Sequence, residues 1–217
     1  MDTIAIVEGA NDAQIADWLE RSLRVALARK AVADIDPRHR RVVISVPGGS
    51  TPFPIFEQLL KTGFDFAKLI VWPNDDRIVP EDHEASNTGK IRALFEPAGV
   101  TVVPLAEEMG VPPFDLVWLG MGADGHIASL FPNTDPRLDD PCTVKTLTPD
   151  PLPPNAPFDR ITMTLPTLLG ARELMFVMRG DDKRAVFDAA LAGENDLPVA
   201  RLLKAAGERG IPVTVFA

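Results

Sequence analysis

Trp118-Leu119-Gly120-Met121-Gly122-Ala123-Asp124-Gly125-His126-Ile127-Ala128-Ser129-Leu130-Phe131-Pro132 leads from an apolar segment into a glycine-rich turn that carries an acid and an imidazole two residues apart. Phe114 to Leu119 reads as a strand buried on both faces. The glycines then let the backbone turn sharply and approach a ligand, because without a Cβ they reach positive φ at little cost. His126 is thereby predicted to sit where strand gives way to a short helix, Ile127 to Phe131, ahead of Pro132. In open α/β sheets ligands bind at that edge, the carboxyl ends of the strands. Asp124 and His126 are therefore candidate site residues. The plain alternative is a tight strand-to-helix turn in which Asp124 caps the helix and His126 is incidental.

Two further strand ends upstream are polar in the same way. Arg41 to Val46 is a β-branched run that leads into Pro47-Gly48-Gly49-Ser50-Thr51-Pro52. Two glycines, two hydroxyls and a proline at the first helical turn would aim backbone NH groups and hydroxyls at an anion, so Gly48, Gly49, Ser50 and Thr51 form a candidate phosphate cradle. An ordinary turn with a capping Ser is the alternative. No Lys follows in the Walker pattern. A helix from Phe53 to Lys61 and a strand from Leu69 to Trp72 come next. Asn74-Asp75-Asp76-Arg77-Ile78-Val79-Pro80 then reads as a charged loop, in which Arg77 suits a bidentate grip on phosphate. Ser86 or Asn87 caps a helix through Leu94, and Thr101 to Val103 is a short strand.

At the amino end, Thr3 to Val7 is a first strand. Ile15, Trp18, Leu19, Leu23, Ala26 and Leu27 then mark one face of a helix that starts near Asn11 and reaches Ala33. Downstream, Thr143 to Leu147 reads as an edge strand, Arg160 to Leu165 as a strand with one face covered, and Glu173 to Met178 as another apolar strand. Gly180-Asp181-Asp182-Lys183 opens a helix to about Leu191. A lysine in a first turn works against the helix dipole, which marks Lys183 as a candidate substrate-binding cation; a surface lysine beside two aspartates is the alternative. A short helix from Pro198 and a strand from Ile211 to Phe216 finish the chain. This alternation predicts a three-layer α/β/α sandwich with a largely parallel, Rossmann-like sheet, formed by residues 1–217 as a single domain. Loops 47–52, 74–80 and 120–126 then belong to one rim.

Composition narrows the function classes. A formal charge of −9 argues against a nucleic-acid or anionic-membrane partner, so an anionic substrate has to be held by local groups. Cys142 is the only cysteine, which excludes an intrachain disulfide and fits a reducing, cytoplasmic setting. Neither a signal peptide nor a membrane span is expected. Gly120 to Gly125 matches GxGxxG by letter, with Asp140 downstream, but the helix that follows is too short and Asp140 falls in a polar loop, so no dinucleotide is expected. His39, His83 and His126 lack metal-ligand spacing, so no metal is expected either.

Taken together, Pro47 to Pro52, Trp72 with Asp75 to Pro80, Ser86-Asn87, Gly120 to His126 with Ala128 to Pro132, and Arg160 to Thr164 resemble the 6-phosphogluconolactonases of the glucosamine-6-phosphate isomerase/6-phosphogluconolactonase family, in that family's order. Two positions depart from the pattern: Asp76 stands where the family has Glu, and Ile127 where it has Thr. Ile127 is what the related deaminases carry, but they continue Phe-Asn-Glu-Pro instead of Ser129 to Pro132.

The resemblance implies the glucosamine-6-phosphate deaminase-like fold and hydrolysis of 6-phospho-D-glucono-1,5-lactone to 6-phosphogluconate, the second step of the oxidative pentose phosphate pathway, with no cofactor. His126 is then the general base toward water, with Asp124 or Asp75 orienting its ring. Gly48 to Thr51, Arg77 and Lys183 hold the phosphate, and NH groups near Gly48 or Gly122 hold the oxyanion. The partner is a small phosphosugar lactone, and the chain is expected to be a monomer or weak homo-oligomer. A sugar-phosphate deaminase or isomerase and a non-catalytic sugar-phosphate-binding domain are the alternatives.

Overall fold

The computed structural model describes residues 3–33, 36, 40–154 and 156–217; His39 lies outside them. Seven strands form one wholly parallel sheet: β1 (Ile4–Val7), β2 (Val42–Val46), β3 (Leu69–Pro73), β5 (Thr101–Val102), β6 (Leu116–Leu119), β9 (Leu174–Val177) and β10 (Val213–Phe216). Their order is β1-β10-β9-β6-β2-β3-β5. The period-two alternation of side chains sends each strand's residues to two separate cores. Leu116 and Trp118 of β6 and Met175 of β9 pack with α1 (Asp12–Val32), α2 (Pro52–Leu59) and α3 (Asn87–Phe95). Val117, Leu119, Leu174 and Phe176 face the other way, toward α5 (Asp181–Leu191) and α6 (Pro198–Glu208). Helices on both faces of a parallel sheet make the three-layer α/β/α sandwich that the alternation predicts.

The helix starts follow the sequence closely. Asn11 Oδ1 accepts from Gln14 N at 2.9 Å while Gln14 Oε1 accepts from Asn11 N at 3.0 Å, a reciprocal pair that satisfies NH groups otherwise orphaned at the start of α1. Ile15, Leu19, Leu23 and Ala26 of that helix are buried, as its apolar stripe requires. Among the described residues, no helix is long and apolar enough to cross a membrane.

A second, three-stranded antiparallel sheet corrects the reading of residues 74–80 as a plain loop. β4 (Asp75–Arg77) pairs with β8 (Arg160–Met163), which pairs with β7 (Val144–Leu147). The predicted strand through Leu165 stops at Met163, and Leu165–Leu168 forms the short helix α4. Asn74 joins the two sheets. Its NH donates to Val46 O at 2.9 Å, its carbonyl accepts from Met163 N at 3.0 Å, and its Nδ2 donates to the buried Ser45 Oγ at 2.7 Å.

The stretch after β6 is also corrected. Ile127 to Phe131 is a knot of turns, not a helix, with isolated bridges from Met121 to Ile127 and from Ile127 to Leu130. Ala128 has φ +49°, a left-handed conformation that an α-helix does not accept. Ile127 and Leu130 are fully buried and anchor the knot in the core.

Candidate active site

The sheet order reverses at β2: β3 lies on one side of it and β6 on the other. Loops leaving the carboxyl ends of adjacent strands in opposite directions open a crevice there. The loops after β2 and β6 meet, since a Cβ on Gly120 would lie 3.4 Å from Pro47 Cβ. Contacts link several of the polar residues singled out above at this edge: Asp124 with His126, and Asp75, Arg77 and Gly48 through Asn87.

His126 Nδ1 stands 2.6 Å from Asp124 Oδ1, and the same carboxylate oxygen accepts from His126 N at 3.3 Å. In the neutral ring this places the proton on Nδ1, toward Asp124, and leaves Nε2 with a free lone pair. The hydrogen bond from His126 holds the Asp124 carboxyl below its ordinary range, with partial burial opposing. Phe131 lies against the imidazole, 4.8 Å between ring centres and tilted by 40°. A Cβ on Gly122 would overlap the imidazole, and Gly122 N donates to His126 O at 2.9 Å, so this glycine closes the turn directly beneath the ring. Gly125, at φ +77°, abuts Leu197 of the segment leading into α6.

Of the two carboxylates proposed to orient the ring, Asp124 is the one that contacts it. Asp75 is engaged elsewhere: its Oδ2 accepts a short hydrogen bond from Ser129 Oγ, and its backbone carbonyl accepts from Asn87 Nδ2 at 3.0 Å. Desolvation raises the Asp75 carboxyl above the ordinary range, against the Ser129 hydrogen bond and the nearby charges of Arg77 and His126. Asp75 thus lies within electrostatic range of the imidazole without touching it.

Arg77 Nη1 donates to Ala85 O at 2.8 Å and to Asn87 Oδ1 at 3.2 Å. Asn87 opens α3 and packs against the glycine loop so closely that a Cβ on Gly48 would overlap its side chain. Asn87 therefore joins the loop after β2 to strand β4. Gly49 and Ser50 are exposed and Thr51 half-buried; Thr51 precedes Pro52 at the start of α2 without capping it through its side chain. Lys183 lies in the first turn of α5, which follows β9, the neighbour of β6 at the same sheet edge. Among the described residues it has no hydrogen-bond or ion-pair partner.

Asp76 is turned to the start of α3. Its Oδ1 accepts from Asn87 N at 2.6 Å and from Arg77 N at 2.8 Å, and its Oδ2 accepts from Thr88 N at 2.8 Å. It thereby satisfies the first NH groups of α3 and complements the helix dipole. Ser86 caps the same helix, accepting from Gly89 N at 3.0 Å.

Three residues at the site escaped assignment from sequence: Asn87, Ser129 and Arg160. Arg160 is Arg77's direct cross-strand partner and is only 3% exposed. Its guanidinium donates to Phe158 O at 2.5 Å and Ala156 O at 2.7 Å; burial and then the charge of Arg77 push its pKa down. Alternation marked its strand, but nothing in the local pattern signals a buried arginine. Among the described residues no cluster of three His, Cys, Asp or Glu side chains is placed to hold a metal.

Comparison with known proteins bears on the same residues. The sequence profile described as glucosamine-6-phosphate isomerases/6-phosphogluconolactonase matches residues 14–107 and 101–210. A 6-phosphogluconolactonase of Pseudomonas putida is 36% identical over 206 residues, covering 85% of this chain and 80% of the relative. One from Mesorhizobium japonicum is 34% identical over 224 residues, covering 94% and 87%. The crystal structure of a 6-phosphogluconolactonase from Shewanella baltica shares the fold with a TM-score of 0.80 at 24% identity, covering 99% of this chain and 97% of that one. The crevice at the β2–β6 divergence thus sits in a chain that belongs to the glucosamine-6-phosphate isomerase/6-phosphogluconolactonase family.

Proposed function

We propose that this protein is a 6-phosphogluconolactonase, a carboxylic ester hydrolase that opens 6-phospho-D-glucono-1,5-lactone to 6-phosphogluconate. The observation that carries the reading is the Asp124–His126 pair at 2.6 Å, set beside Asp75 and Arg77 in a chain whose relatives bear that name.

In this reading the neutral imidazole accepts a proton from water at Nε2 as the water oxygen attacks the lactone carbonyl carbon. Asp124 holds the ring and offsets the imidazolium charge that forms. When the tetrahedral intermediate collapses, the bond from that carbon to the ring oxygen breaks, and His126 returns the proton to the departing oxygen. Water is consumed, no group stays on the protein, and the histidine is regenerated. A positioned base of this kind is worth about 10²–10⁴ in rate. The Gly48 to Thr51 loop supplies backbone NH groups ahead of α2, and Arg77 supplies a fork whose Nη1 is already oriented by Ala85 and Asn87. Lys183, without a partner among the described residues, completes the phosphate grip. NH groups near Gly48 or Gly122 hold the oxyanion. The crevice lies within one chain, residues 1–217 acting as a single domain.

The test is hydrolysis of freshly generated 6-phosphogluconolactone with the spontaneous rate subtracted, run beside ammonia release from glucosamine 6-phosphate. Acceleration of the first without the second supports the lactonase. Ammonia release alone would replace it with the deaminase, and a folded protein that binds sugar phosphates but accelerates neither reaction would be the non-catalytic alternative.

A further inference from the structure

We propose that Ser129 is a positioning residue: it fixes the Asp75 carboxylate beside the imidazole of His126 and so ties the turn that carries the base to the strand that carries the phosphate grip. The catalytic part of this inference rests on the lactonase reading above.

The geometry is built from a chain of hydrogen bonds with defined directions. Ser129 is 1% exposed, and a buried hydroxyl needs a partner. Its Oγ donates to Asp75 Oδ2, and its backbone NH donates to Thr162 Oγ1 at 3.2 Å. Thr162 directs its own hydroxyl proton to Met163 O at 3.1 Å, which leaves that oxygen free to accept from Ser129. Asp75 and Thr162 are direct cross-strand partners on β4 and β8. Ser129 therefore clamps one register pair of the small sheet with two hydrogen bonds, one from its side chain and one from its backbone.

The clamp is rigidly joined to the base. Only Ile127 and Ala128 separate Ser129 from His126; Ile127 is fully buried and bridged on both sides, and Ala128 makes the left-handed kink. Asp75 lies two residues before Arg77 on the same short strand. A shift of the His126 turn relative to the phosphate-binding strand must break the Ser129 contacts first. The hydroxyl also acts on charge: a donor to a carboxylate favours its ionised form, which here opposes the desolvation of Asp75. An ionised Asp75 within range of His126 adds to Asp124 in stabilising the imidazolium, whereas a protonated one would not.

The decisive experiment follows the Asp75 carboxyl carbon by NMR as pH is varied, in wild type and in Ser129→Ala, and needs no substrate. Loss of a hydrogen bond to a charged acceptor should raise the Asp75 midpoint by about one pH unit. Ser129→Cys, with a similar shape and a weaker donor, should fall between the two. In lactone hydrolysis, Ser129→Ala should lower kcat/KM about tenfold in the wild-type background and less than twofold in Asp75→Asn. An unchanged Asp75 midpoint, or an equal loss in both backgrounds, would overturn the proposal and leave Ser129 a packing residue. A wild type that hydrolyses no lactone would defeat the functional reading, while the titration would still decide whether Ser129 holds Asp75.

Discussion

Asp124 Oδ1 and His126 Nδ1, two residues apart in the chain, meet at 2.6 Å across a turn that a Cβ on Gly122 would obstruct. The local chain alone thus sets the tautomer and direction of the ring. Asp124→Ala should lower kcat about 10- to 100-fold with little change in KM, because the ring loses its orientation and its counter-charge while the phosphate contacts remain. Steady-state kinetics on the lactone check this; a loss confined to KM would contradict it.

Gly122→Ala should mimic that loss without removing a functional group. The new methyl overlaps the imidazole, so the ring has to leave Asp124. Far-ultraviolet circular dichroism should stay unchanged while kcat drops at least tenfold. Gly48→Ala should act differently: it displaces Asn87, and through it Arg77, so KM for the phosphorylated substrate should rise more than kcat falls.

Asp75 should trade stability for function. Its folded-state pKa is raised by desolvation, so the folded protein binds this proton more tightly than the unfolded chain does. The ionised carboxylate therefore destabilises the fold above its raised pKa, and this penalty vanishes below the unfolded value of 3.8, where both states are protonated. Asp75→Asn should raise the Tm near pH 7.5, show little gain near pH 3.5, and lower kcat. Thermal melts at the two pH values test the sign; a greater gain at the lower pH would refute it.

Asp76 is expected to matter for stability first. Removing a carboxylate that accepts the first NH groups of α3 costs about 1–3 kcal/mol. For a chain of this size each kcal/mol lowers Tm by about 2–4 °C. Asp76→Ala should therefore melt several degrees lower, and a kinetic loss without a change in Tm would contradict the capping role.

The contrast between Asp75 and Asp76 shows where sequence reading stops. The seven parallel strands were legible because each is a short apolar run bounded by turn residues, and the stripe of Ile15, Leu19 and Leu23 located α1. Asp75-Asp76-Arg77 carries no such signal. It is a strand because β8 offers it a partner, a tertiary fact that overrides the low strand propensity of aspartate. Ile127 to Phe131 misled in the opposite direction: its place after a strand and a glycine-rich turn suggested a helix, while burial of Ile127 and Leu130 and the kink at Ala128 fold it into turns. The motif residues of the rim were visible as types at strand ends. Which carboxylate touches His126, and that Asn87 bridges Gly48 to Arg77, depend on distances that spacing does not encode.

The central claim, that His126 is the base and Arg77 holds the phosphate, is tested most directly by steady-state hydrolysis of fresh 6-phosphogluconolactone by wild type, His126→Ala and Arg77→Ala, each corrected for the spontaneous reaction. The account predicts that His126→Ala loses about 10²–10⁴ in kcat with KM nearly unchanged, and that Arg77→Ala mainly raises KM. A fully active His126→Ala would contradict it and move the search for the base to Asp75 and Asp124.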